Sequence, residues 1–116
     1  MLDNTVGTRN TAVGKDALKN NTSHNNTAVG AHAAELMTEG TGNTAVGRNA
    51  LYSTTTSHYN TAVGALALYT NTTGTSNTAV GRNTLEANTT GAQNTAVGAV
   101  VLAVCTEGAN NTAMGE

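Results

Sequence analysis

The chain has 116 residues with five basic and seven acidic side chains, a net charge of -2, 38% hydrophobic residues, and no Pro, Phe or Trp. That balance leaves no basic stripe to neutralise phosphates, which argues against nucleic acid or an anionic membrane as partner. No apolar run approaches the roughly 20 residues of a membrane-spanning helix, and Met1-Leu2-Asp3-Asn4 does not read as a signal peptide.

Along the chain, Asn4-Thr5-Val6-Gly7 reads as an imperfect first repeat. Seven near-copies of Asn-Thr-Ala-Val-Gly then begin at Asn10, Asn26, Asn43, Asn60, Asn77, Asn94 and Asn111, so the first step is 16 residues and the next five are 17 each. A fixed period too short for a pair of helices points to a solenoid, and one period cannot bury an apolar face by itself. The expected fold is all-β, a parallel β-solenoid of 17-residue coils. Residues 1–116 form a single array of about seven coils, with both ends expected to be cut from a longer fibre.

Superposing the periods turns the sequence into columns. Thr-Ala-Val predicts a strand in which Thr and Val share one side and Ala takes the other. On that basis Val13, Val29, Val46, Val63, Val80 and Val97 are expected inside, opposed by Leu18, Leu51, Leu68, Leu85 and Leu102 of a second strand. The repeated Gly ends the first strand, either to supply positive φ or to let another backbone come close. Asn71-Thr72-Thr73-Gly74 and Asn88-Thr89-Thr90-Gly91 read as the second turn of the coil. A helix over Lys15 to Asn20 is too short and too rich in Asn and Thr nearby to persist. The outward column Ala12, Ala28, Ala45, Ala62, Ala79 and Ala96 is expected to be a close subunit seam, because a thin core offsets little conformational entropy and favours oligomers.

The chain is not expected to be an enzyme, and no catalytic, cofactor-binding or metal-ligating set is assigned. Cys105 stands alone in a column otherwise filled by Asn21, Met37, Thr54, Asn71 and Asn88, so it reads as a tolerated small residue. His24 and His58 lie two coils apart, too far to share an ion at roughly 4.8 Å per coil. Asp16, Glu35, Glu39, Glu86 and Glu107 read as scattered, with no pair on one coil for acid and base work. The only aromatic residues are Tyr52, Tyr59 and Tyr69. Tyr52 and Tyr69 share a column on adjacent coils with Tyr59 in the turn between, so a cross-coil ring pair about 5 Å apart is expected, with a glycan contact as the alternative.

The unit Asn-Thr-Ala-Val-Gly-x-x-Ala-Leu-x-x-Asn-Thr-Thr-Gly, clearest at Asn60 to Ser76 and Asn77 to Gln93, resembles the repeats of bacteriophage and virus tail-fibre-like proteins, often found upstream of a self-cleaving intramolecular chaperone domain. More loosely it is similar to the head repeats of trimeric autotransporter adhesins, whose coils are shorter and carry Val or Ile where Thr stands here. The resemblance spans Asn10 to Gly115. It implies a left-handed β-roll assembled as a homotrimer, an extracellular place on a virion tail fibre or bacterial cell surface, and a shaft or head segment that mediates attachment to a host receptor or glycan. The alternative drawn from the residues is an ice-binding solenoid that uses a Thr ladder. There the second-column Thr is expected to face the core beside Val, leaving only the column from Thr22 to Thr106.

Overall fold

The computed structural model describes residues 7–115; the imperfect repeat over residues 4–6 lies outside the described residues. Seven three-residue strands follow one another: β1 (Thr11–Val13), β2 (Thr27–Val29), β3 (Thr44–Val46), β4 (Thr61–Val63), β5 (Thr78–Val80), β6 (Thr95–Val97) and β7 (Thr112–Met114). They form one parallel sheet in sequence order, and every pairing sets Thr on Thr and Ala on Ala. The chain is therefore a β-solenoid of about six turns with about 17 residues per coil, 39 × 21 × 17 Å in extent. β-branched Thr and Val favour the extended backbone, and the Gly that follows ends each strand.

The two faces of the strands are the reverse of the expected ones. Ala28, Ala45, Ala62, Ala79 and Ala96 are buried in the chain's own core, while Val13 is 57% and Val63 36% exposed. Ala12 also packs against that core. The Val column Val13, Val29, Val46, Val63, Val80 and Val97 thus lies outside rather than inside, and the Ala column cannot be a subunit seam. Alternation separates two faces without saying which turns inward. Room decides it: across a roll this slim the strand is opposed by Leu18, Leu51, Leu68 and Leu85, all buried, and only a methyl fits between them and the sheet. The Leu column is internal as expected, with Leu102 of the last coil partly buried.

The stretch that carries Leu is not a second strand. After Gly14 the backbone turns through left-handed conformations at Asp16 (φ 55°) and Leu18 (φ 48°), and each later coil repeats them, as at Asn49 (59°) and Leu51 (52°). A branched side chain at positive φ is strained, by about 1–3 kcal/mol per residue. The conformation is held because it lets successive N–H groups serve both neighbouring coils. His32 N–H donates back to Lys15 O at 2.8 Å, and Ala34 N–H donates forward to Ala50 O at 2.9 Å. The same division recurs elsewhere in the coil: Thr44 N–H bonds forward to Asn60 O, whereas Gly47 N–H bonds back to Val29 O and Tyr59 N–H to Thr41 O. Two left-handed residues within three also exclude a helix over Lys15 to Asn20.

Both roles expected of the repeated Gly are present. Gly47 has φ 132°, and a Cβ there would stand 2.6 Å from the carbonyl of Gly64 on the next coil. The turn at Asn71 to Gly74 closes as expected, with Asn71 Nδ2 donating to Gly74 O at 2.9 Å, and Asn88 repeats it onto Gly91 O at 3.0 Å.

The first column, Asn in every coil, is a ladder that is buried from Asn26 to Asn94 and half-buried at Asn10 and Asn111. Oδ1 of Asn43 accepts the backbone N–H of Asn60, Oδ1 of Asn60 accepts that of Asn77, and Oδ1 of Asn77 accepts that of Asn94, at 2.9–3.0 Å. On the donor side, Asn43 Nδ2 reaches Ser57 O and Asn60 Nδ2 reaches Gly74 O, both at 2.9 Å. Each side chain thus fastens one coil to the next and closes the corner of its own. A second polar column holds Asn21 and, beyond buried Met37, Thr54, Asn71 and Asn88, where Asn88 Nδ2 donates to Asn71 Oδ1 at 2.8 Å. It stops at Cys105, and Asn88 Oδ1 is buried with no partner.

Two outcomes follow from this packing. Replacing Ala62 with Leu overfills the core and should cost about 1–3 kcal/mol, whereas Arg48→Ala, at an exposed position outside the strands, should change stability by no more than about 0.5 kcal/mol; paired circular-dichroism melts check both. Cys105→Asn supplies the donor that Asn88 Oδ1 lacks and should stabilise the chain by about 1 kcal/mol. A melting temperature unchanged or lowered in that variant would show that the second ladder does not extend.

Candidate functional site

The surface that repetition builds most regularly is the outer face of the sheet. Two side chains of each strand point outward, so the face consists of a Thr column, from Thr11 to Thr112, beside the Val column, which ends in Met114. Strict register puts like over like at the roughly 4.8 Å spacing of paired strands. No charged residue interrupts either column. The hydroxyls of Thr44, Thr61 and Thr78 make no hydrogen bond among the described residues. Contrary to expectation, then, the second-column Thr looks away from the core.

The other Thr column is structural. Thr22 donates its hydroxyl to Thr38 O at 3.0 Å, Thr72 to Thr89 O and Thr89 to Thr106 O, each at 3.1 Å, so these hydroxyls are spent on the neighbouring coil. His24 and His58 are likewise fasteners. Nδ1 of His24 accepts Thr8 N–H at 2.9 Å and Nδ1 of His58 accepts Thr41 N–H at 3.1 Å, which places the ring proton on Nε2. Cys105 is half-buried against the core, with its thiol free.

The structure brings Tyr52 and Tyr69 together with ring centroids 5.3 Å apart and planes 14° off parallel. Tyr59 does not join them. It lies at the opposite corner beside His58, 6.1 Å between centroids, and over Gly42, where a Cβ would meet the ring at 2.8 Å. The three rings thus form no common platform. Asp16 and Glu35, read as scattered from the sequence, are neighbours, on adjacent coils either side of His32. The signal available for that was the column arithmetic: Asp16 and His32 share the seventh column, and Glu35 stands three residues after His32.

The described residues form no pocket, and they include no helix long and apolar enough to cross a membrane. No protein-family model, curated protein or solved structure matches the chain.

Near-parallel stacking of the two tyrosines predicts a measurable coupling. In a double-mutant cycle of Tyr52→Ala and Tyr69→Ala, the two single losses should add up to more than the loss in the double variant, by about 0.5–1.5 kcal/mol; denaturant titrations of the four proteins measure it, and additive losses would show that the rings are merely adjacent.

Proposed function

We propose that the chain is a structural shaft or head segment of a homotrimeric fibre or adhesin, a left-handed roll whose outward Thr-Val face forms the subunit seam. One observation carries the reading: an uncharged apolar ladder, Val13 to Val97, is left on the outside of a sheet while the smallest side chains fill the inside. A contiguous exposed apolar surface on a regular element is characteristic of an interaction site, and charge is depleted at the centre of interfaces. A second copy offers the same columns at the same spacing, so side-by-side copies match over their whole length. The seam expected on the Ala column moves to the Val column of the same strands.

In this reading the work is mechanical. Equivalent coils make a stiff rod that holds a receptor-binding tip, or a glycan-contacting surface, away from a virion or bacterial cell, and three chains multiply weak contacts by raising effective concentration. No cofactor enters. Sedimentation velocity tests the assembly: the parent should run near the mass of three chains. Val46→Asp together with Val63→Asp should run as a single chain with its β-signal retained, because both changes lie on the outside of the roll. A parent that sediments as one chain overturns the proposal.

A second reading is favoured by the free Thr column. Hydroxyls and methyls on a flat, rigid array of even spacing are the surface an ice-binding solenoid needs. Thermal hysteresis distinguishes the two, since a chain that buries this face in an assembly has none left for ice. Measurable hysteresis in the parent, abolished in Thr61→Lys, would favour ice binding over the fibre.

A further inference from the structure

The geometry points to a divalent-cation site of the zinc class on the first two coils, formed by Asp16, His32 and Glu35. One ligand atom from each lies within 4.8 Å of the other two. His32 Nδ1 stands 2.7 Å from Glu35 Oε2 and 3.8 Å from Asp16 Oδ2, and the three side chains are only 33%, 14% and 17% exposed. An imidazole nitrogen with two carboxylate oxygens is a donor set for Zn²⁺, at about 2.0–2.2 Å per bond. Tetrahedral ligands at that bond length sit about 3.3 Å apart, so small side-chain adjustments bring the three atoms onto one ion, with water in the fourth place.

The backbone holds these donors where they are. Asp16 and His32 occupy equivalent left-handed positions, φ 55° and 59°, which stack one above the other on consecutive coils. Hydrogen bonds from His32 N–H to Lys15 O at 2.8 Å, from Leu18 N–H to Ala33 O at 3.1 Å and from Asn20 N–H to Glu35 O at 3.4 Å clamp the two coils on either side. The later coils carry Asn49, Leu66, Asn83 and Val100 at the seventh position, and Asn83 is bonded to Glu86. Among the described residues, only the first pair of coils therefore assembles imidazole and carboxylates.

Lys19 shows that the place draws positive charge. Its Nζ lies 3.7 Å from Asp16 Oδ1 and 3.9 Å from Glu35 Oε1, bridging the coils through their carboxylates. The amine is half-exposed and such pairs are weak, so a dication that also engages the imidazole displaces it. Binding would add a cross-link between the first two coils and raise the thermal stability of the folded chain.

The test titrates the chelator-treated chain with Zn²⁺ by calorimetry and with Co²⁺ by visible absorption. The expected result is a single equivalent bound, a cobalt spectrum of low-coordinate type, and a melting temperature that rises with Zn²⁺ and falls back with chelator. His32→Gln and Glu35→Gln should each weaken binding by about tenfold or more, and Lys19→Met should tighten it. The triple variant His24→Gln, His58→Gln, Cys105→Ser should bind as the parent does. Absence of binding in the parent overturns the site, as does equal affinity in both ligand variants or loss of binding in the triple variant. Should His32→Gln fail to fold, Glu35→Gln alone carries the same decision.

Discussion

The asparagine that opens each coil, buried from Asn26 to Asn94, makes the interaction on which the rest of this structure depends. A primary amide has one acceptor oxygen and two donor hydrogens, and here the oxygen takes the next coil's backbone N–H while the nitrogen closes the corner of its own coil through a backbone carbonyl. Burying such a group without partners costs about 1–3 kcal/mol, so an amide that satisfies two backbone groups at once fixes both the corner and the step between coils. The 17-residue period, the strict register and the placing of each strand above the last follow from repeating that bond. Where the period shortens to 16, between Asn10 and Asn26, the ladder still closes, with Asn10 Nδ2 bonded to Ser23 O at 2.6 Å and Asn10 Oδ1 to Asn26 N–H. The missing residue is taken up in the turn.

The second constraint is width. A roll 17 to 21 Å across leaves space inside for one large apolar column, the leucines, and for methyl columns on either side of it, the strand alanines and Ala17, Ala33, Ala50 and Ala67 next to each leucine. Leucine enters from the left-handed stretch and alanine from the strand, while the larger valine is turned out. The left-handed stretch is in turn what brings leucine inward and directs its neighbouring N–H groups up and down the axis, so the strain at Leu51 or Leu68 is offset by the ladder it permits.

Periodicity, the parallel solenoid, the glycine corners, the Asn-Thr-Thr-Gly turns and the Tyr52–Tyr69 pair were all legible in the sequence, because each depends on spacing alone. The orientation of the strand was not. Hydrophobicity ranks valine above alanine as a core residue, and only the width of the finished coil reverses the order. The second strand was misjudged for a related reason: Lys-Asp-Ala-Leu-Lys carries no glycine to announce positive φ, and the alternation at Asp16 and Leu18 is imposed by the neighbouring coils. The grouping of Asp16, His32 and Glu35 is not legible within any single coil, because in a solenoid the nearest neighbours of a side chain lie one period away.

The division of backbone hydrogen bonds between the two neighbouring coils has an electrical consequence. In an α-helix every peptide points the same way and the partial charges accumulate at the two ends. Here Thr44 and Ala34 direct their N–H groups toward the next coil, and Gly47, His32 and Tyr59 direct theirs toward the previous one. The peptide dipoles along the axis therefore largely cancel within each turn, and no potential builds up at either end as coils are added. Rods of this kind can stand side by side and point the same way without the repulsion that aligned helices experience, at any length the repeat count provides.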